Sequence, residues 1–301
     1  MKATAQEFAA TTVTGRSMGA VLSDLFKARL TTLVVLTTLA GFYMGSRGGM
    51  NGWLLFHCVL GTALLASGAA ALNQLLEHEL DSRMVRTETR PIPAGQLQPD
   101  SVLLIGAAIS AMGLIYLALK VNLLTSVLGA ATLISYLFIY TPLKRITPFN
   151  TIVGAIPGAL PPLMGWTAAR NSVSIEGWTL FAILFFWQLP HFLAIAWLYR
   201  EDYAKAGFRM LPVVDETGER TARSTISHTL GLLPISLCPF LFKLSGQLYF
   251  FGALMLGLGF LYFAIRFARD LSVANARKLF LASIVYLPLL LGLMVFDKLG
   301  N

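Results

Sequence analysis

Charged residues are scarce in this chain: Asp, Glu, Lys and Arg make up 13% of its 301 residues, about half the usual share in a soluble globular domain. With 56% hydrophobic residues and a mean hydropathy of +0.68, that shortage excludes an ordinary water-soluble fold of this length and places the chain in a bilayer. Cysteine is scarcer still. Cys58 and Cys238 lie far apart in apolar stretches with no ligand spacing around them, which argues against a disulfide framework or a zinc site and leaves two small packing residues. Residues 1–27 lack a compact apolar core followed by a small-residue cleavage site, so no removable signal peptide is expected. Acids are fewer than bases, 15 against 23, for a net charge of +8. The bases are dispersed over several loops and interrupted by acids, so they do not call for nucleic acid.

What the chain has in abundance is apolar sequence in spanning lengths. A helix needs about 20 mostly apolar residues to cross the hydrocarbon core, and such runs occur at about 30–46, 53–76, 101–119, 122–140, 150–168, 177–198, 226–243, 247–267 and 278–297. The expected fold class is an all-α polytopic membrane protein, a bundle of nine transmembrane helices: residues 1–29 form an amino-terminal segment and residues 30–297 a single transmembrane domain. Placing the amino terminus and every even-numbered connection on one side gathers all basic residues there except Arg47, Lys120, Arg170, Lys243 and Lys298. By the positive-inside rule that side is cytoplasmic, and the carboxyl terminus lies outside. Of the acids, only Glu176 and Asp297 fall outside. The polar chemistry therefore sits at one membrane face. Two long cytoplasmic connections, 77–100 and 199–225, follow the second and sixth spans, four spans apart, a spacing that suggests an internal duplication.

The first connection opens with NQLLEHELDSRMVRTETRPIP, residues 73–93. If the preceding helix continues a turn or two, Asn73, Glu77 and Asp81 recur at i, i+4 and i+8 and share one face. Two carboxylates and an amide oxygen are hard donors, too few to enclose a metal, and magnesium is commonly held by one or two carboxylates with waters and substrate phosphates. Arg83, Arg86 and Arg90 follow, guanidinium groups suited to phosphate oxygens. Lys144 and Arg145 in YTPLKRITPFN lie on the same side, either as topology anchors or within reach of a diphosphate. The fifth span carries Gly154, Pro157, Gly158, Pro161, Pro162 and Gly165, a density of breakers expected to kink or unwind it beside a cavity. His191, in FWQLPHFLAIAWLYR, is a polar group at membrane depth, and its role is either a packing hydrogen bond or a contact with a bound group.

The wording N-x-x-x-E-x-x-x-D-S-R-M-x-R-T-x-x-R-P resembles the aspartate-rich motif of the intramembrane, UbiA-type prenyltransferases. Within that family it looks most like a heme-farnesylating branch. Glu77 departs from the Asp usual there; oxygen ligation survives one methylene further out. In the second connection, WLYREDYAKAGFRMLP is similar to the same branch's variant of a second acidic motif, with Glu201 and Asp202 followed by Tyr203, Lys205 and Arg209. The resemblance implies a magnesium-dependent prenyltransferase with Asn73, Glu77, Asp81, Asp202 and Tyr203 as catalytic residues, the first three and Asp202 holding metal. Arg83, Arg86, Arg90, Lys144, Arg145, Lys205 and Arg209 would bind diphosphate, and His191 would contact heme at its iron or a propionate. It further implies farnesyl diphosphate and protoheme IX as substrates, heme O for terminal oxidases as product, a plasma-membrane location and a heme A synthase as partner protein. Prenylation of a phenolic or quinone precursor is the near alternative. Transport is the distant one, and it predicts ionisable groups along a path at mid-membrane depth.

Overall fold

The computed structural model describes residues 16–300; Lys2 and the rest of the first fifteen residues lie outside the described residues. The described chain is helical, and its single β-bridge pairs Ser245 with Lys298. An amphipathic helix, α1 (Met18–Leu25), precedes nine helices long and apolar enough to cross a membrane: α2 (Ala28–Gly45), α3 (Gly52–Asp81), α4 (Pro99–Lys120), α5 (Leu123–Leu143), α6 (Asn150–Arg170), α7 (Ile175–Leu198), α10 (Glu219–Leu241), α11 (Gln247–Arg269) and α12 (Val273–Phe296). Two short helices, α8 (Arg200–Lys205) and α9 (Leu211–Val214), lie between α7 and α10.

Local chemistry sets the ends. Asn51 accepts the Leu54 N–H at 3.1 Å, Asn122 the Thr125 N–H at 2.8 Å and Ser272 the Asn275 N–H at 3.3 Å, each satisfying a donor that the first helical turn leaves free. Pro99 occupies the first turn of α4, where its missing N–H costs nothing.

Both long connections prove shorter than the hydropathy suggests. The first is reduced to 82–98 because α3 continues through Asp81. The second ends at Gly218, seven residues early. There Asp215 Oδ2 accepts both the backbone N–H (2.7 Å) and the hydroxyl (2.8 Å) of Thr221, so the polar residues 219–225 become the opening turns of α10.

The fifth span does not unwind. Despite Pro157, Pro161 and Pro162, α6 runs unbroken from Asn150 to Arg170, and with α7 it is the most buried of the spans. Its small residues let neighbouring backbones approach. A Cβ on Gly41 of α2 would stand 1.9 Å from the Pro162 carbonyl oxygen, so the two backbones touch as only glycine permits. The buried Gln188 of α7 donates to the Ala155 carbonyl at 3.4 Å, giving α6 a polar contact from its neighbour.

The first and last spans are also joined. Lys298 Nζ donates to the Tyr43 and Ser46 carbonyls at 2.6 and 2.7 Å, capping the end of α2 from beyond α12.

Candidate functional site

The last turns of α3 carry Asn73, Glu77 and Asp81 on one buried face, at exposures of 1%, 5% and 1%. Burying two carboxylates in apolar surroundings is unfavourable unless cations meet them. Each is met: Lys144 Nζ lies 2.6 Å from Glu77 Oε1, and Arg90 donates to Asp81 Oδ2 at 2.5 Å. The Asn73 amide oxygen also faces a cation, Lys27 Nζ at 2.7 Å, while its Nδ2 donates to Thr141 Oγ1 at 3.2 Å. Three consecutive turns of one helix therefore offer three oxygens, each opposed by a basic side chain from a different part of the chain.

These cations owe their positions to distinct local devices. Arg90 lies on the turns after α3, whose path is fixed by Thr87 Oγ1 donating to the Asp81 carbonyl at 2.8 Å. Lys144 follows a π-helical segment, Ser135–Tyr140, at the end of α5. Pro142 lacks an N–H, so it cannot donate the α-helical bond to the residue four back. Thr141 Oγ1 instead bonds the Tyr136 carbonyl at 2.9 Å, and the wider turn brings Tyr140, Thr141 and Lys144 to the site. The Tyr140 ring rests directly on Gly154, where a Cβ would come within 2.4 Å of it, and the Lys144 ammonium stands 4.6 Å above that ring. Burial opposes the Lys144 charge, but the Glu77 carboxylate in contact with it outweighs burial and holds the ammonium above the ordinary lysine range. Lys27 goes the other way. Burial and then the Arg90 guanidinium draw it down to about 7, against the attraction of Glu77.

The second connection packs over this end of α3. Leu80 and Met84 share an apolar cluster with Ala196, Ala206, Phe208 and Met210. Arg209 N–H donates to the Lys144 carbonyl at 2.7 Å and Asn150 Nδ2 to the Arg209 carbonyl at 3.0 Å, which ties the 144–150 turn to the 199–218 segment. From this segment Tyr203 reaches Arg86, with 3.4 Å between hydroxyl and guanidinium, and Arg86 also lies over the Tyr199 ring at 5.4 Å.

The expected residues thus separate. Asn73, Glu77, Asp81, Arg90 and Lys144 assemble, and Arg86 with Tyr203 forms a pair joining the two connections. Arg83, Arg145, Lys205 and Arg209 have exposed side chains with no side-chain partner among the described residues. Asp202 is half-buried and in no ion pair, and no three His, Cys, Asp or Glu side chains among the described residues are grouped to hold a metal. α8 is a separate six-residue helix, and it brings the Tyr203 ring within 5.7 Å of the Arg86 guanidinium. Sequence reasoning missed Lys27 and Thr141. Lys27 reads as an anchor before the first span, and Thr141 as the start of a proline turn.

His191 stands apart from this cluster, on α7 against α12. Its Nδ1 lies 2.7 Å from Ser283 Oγ, and that hydroxyl donates its own proton to the Phe280 carbonyl at 2.5 Å. A hydroxyl donating to that carbonyl accepts from His191, an arrangement that belongs to the tautomer with its proton on Nδ1 and its lone pair on Nε2. The ring is held between Trp187, stacked at 4.9 Å, and Phe280 at 5.2 Å.

Residues 34–287 match the model of the UbiA prenyltransferase family. A protein of Solibacter usitatus named protoheme IX farnesyltransferase is 48% identical over 287 residues, which cover 92% of this chain and 98% of that one. Among solved structures, one concerned with digeranylgeranylglyceryl phosphate synthase in membranes superposes with a TM-score of 0.79 at 14% identity, covering 92% of this chain and 97% of that one. A UbiA homologue from Archaeoglobus fulgidus bound to GPP and Mg2+ superposes with a TM-score of 0.65 at 15% identity, over 91% of this chain and 99% of that one. With nine spans among its described residues, two buried carboxylates at the end of the second, and a family match over most of its length, this is a multi-pass membrane prenyltransferase, and the chain belongs to the UbiA prenyltransferase family.

Proposed function

We propose that this protein transfers the farnesyl group of farnesyl diphosphate to a vinyl group of protoheme IX, giving heme O for terminal oxidases. The observation that carries the reading is the 48% identity to a protoheme IX farnesyltransferase along nearly all of both chains. The buried Asn73, Glu77 and Asp81 face supplies the matching chemistry. Its donor set suits Mg2+: three hard oxygens leave coordination positions for water and phosphate, as this ion prefers. Bound there, Mg2+ would neutralise charge on the departing diphosphate.

The chain's own residues then divide the work. Lys144 and Arg90 stand beside the carboxylates and offer N–H donors to diphosphate oxygens as the C1–O bond breaks. Arg86, oriented by Tyr203, adds a donor from the outer side. The allylic cation left behind alkylates the vinyl carbon, and water captures the resulting cation at the adjacent carbon with loss of a proton, so that farnesyl and hydroxyl both end on heme. Aromatic faces at the site, the stacked Tyr136 and Tyr140 among them, stabilise positive charge while excluding water.

His191 is assigned to the acceptor. A propionate would need an N–H donor at Nε2, whereas the Ser283 hydrogen bond leaves a lone pair there, which suits the heme iron. By the positive-inside rule the site end faces the cytoplasm and the carboxyl terminus lies outside, in the plasma membrane.

The test is incubation of the purified protein in nanodiscs with protoheme IX, farnesyl diphosphate and Mg2+, with and without chelator, followed by mass spectrometry of the pigments. A chelator-sensitive product with the mass of hydroxyethylfarnesyl heme is expected. Unchanged protoheme in a folded sample that prenylates a phenolic acceptor would overturn the heme assignment and keep the family chemistry.

A further inference from the structure

Four basic residues precede the first span in the sequence, and a basic residue at such a place ordinarily marks topology. Lys27 is instead turned inward. Its backbone adopts the left-handed conformation (φ 46°, ψ 54°), which L residues other than Gly, Asn and Asp seldom enter, at the junction between α1 and α2. The junction is tied down on all sides. Gln74 Nε2 donates to the Asp24 and Leu25 carbonyls at 2.7 and 3.1 Å, and Thr31 Oγ1 donates to the Phe26 carbonyl at 2.8 Å. Leu25 packs beneath it with Ala71, Ile92 and Val102. What this arrangement achieves is the delivery of one ammonium to Asn73 Oδ1, at 2.7 Å. An ammonium has three N–H donors, and this is the only hydrogen bond Lys27 Nζ makes among the described residues.

We propose that Lys27 is a diphosphate-binding residue: its ammonium rests on Asn73 Oδ1 and passes to a phosphate oxygen when the divalent cation accompanying the substrate takes that amide oxygen. The proposal rests on the prenyl-transfer reading above and deepens it. Its electrostatic basis is the one-to-one pairing of Asn73 with Lys27, Glu77 with Lys144 and Asp81 with Arg90. Lys144 and Arg90 already match the two carboxylates one to one, and Lys27 has no carboxylate of its own. A divalent cation arriving alone would add positive charge to a buried place whose anions are already matched, where unbalanced charge is costly. Arriving with a diphosphate, it brings the anion that the released bases need. Metal and prenyl diphosphate therefore bind as a unit, and Lys27 is one of the groups that couples them.

The experiment is isothermal titration calorimetry on the full chain in nanodiscs, using farnesyl thiolodiphosphate, an analogue slow to ionise, with and without Mg2+. Wild-type protein is expected to bind the analogue at least about tenfold more tightly with Mg2+, while Lys27→Met loses about tenfold to a hundredfold of that affinity with unchanged thermal unfolding, the range for a hydrogen bond to a charged group. Lys27→Arg should recover most of the loss. Independent binding of Mg2+ and analogue to wild-type protein, or analogue affinity in Lys27→Met equal to wild type, overturns the role given to Lys27. Wild-type protein that binds no analogue under either condition overturns the prenyl-transfer reading instead.

Discussion

The two polar segments at the site end, 82–98 and 199–218, follow spans four apart in the chain, yet they are built in opposite ways. Before the first, the helix does not stop at the membrane: α3 carries Asn73, Glu77 and Asp81 through about 12 Å of continuous helix, so their spacing is set by the helix itself. Before the second, α7 ends at Leu198 and the acids sit on the detached α8, Glu201 exposed and Asp202 half-buried, neither in an ion pair among the described residues. A continuous helix presents carboxylates rigidly enough for cations to be matched to them one by one. The detached helix presents aromatic surface, Tyr203 against Phe208 and Arg86. The asymmetry gives one half a rigid row of carboxylates matched by cations and the other an aromatic cover.

Substitutions test that division. Asp81→Asn should lower kcat by about 10²–10³-fold, the usual cost of removing a group that stabilises transition-state charge; turnover near wild type, followed as pigment formation, would erase the distinction between the halves. Lys144→Met leaves Glu77 buried and unpaired, and should cost about 3–5 kcal/mol of stability, read as a loss of thermal stability in detergent. Glu77→Asp restores a carboxylate one methylene shorter and should hold kcat within about tenfold of wild type, since one misplaced ligand costs less than a missing one. Asp202→Asn should be the mildest, within about threefold in kcat/KM, as expected of a half-exposed group outside any ion pair. A loss at Asp202 matching that at Asp81 would place both acids in one working site.

Much of this is legible in the sequence alone. The nine spans follow from apolar runs of the right length, and the i, i+4, i+8 recurrence of Asn73, Glu77 and Asp81 follows from helical periodicity, because both are local properties. The bounds of α10 were missed because hydropathy stops at the membrane surface while a helix capped by Asp215 does not. The breakers of α6 misled for a related reason: a proline's effect depends on what lies against it, and the surface it presents to α2 is long-range information. Lys27 was hidden for the same reason. Its role depends on a left-handed turn and on Gln74, 47 positions away, neither of which leaves a periodic trace.

The π-helical segment of α5 acts, in effect, as a phase adapter. Residues before Ser135 follow the rotation that packing against α6 demands, whereas Thr141 and Lys144 must meet a face of α3 set by a different helix axis. One residue of an α-helix turns the chain by about 100°, so a single deletion within 135–140 would leave the membrane half of α5 seated and swing Lys144 off Glu77. The number of residues in that segment is thus constrained as well as the identities of Tyr136 and Tyr140: a change of length disengages the Lys144 end of the helix from the half that anchors it.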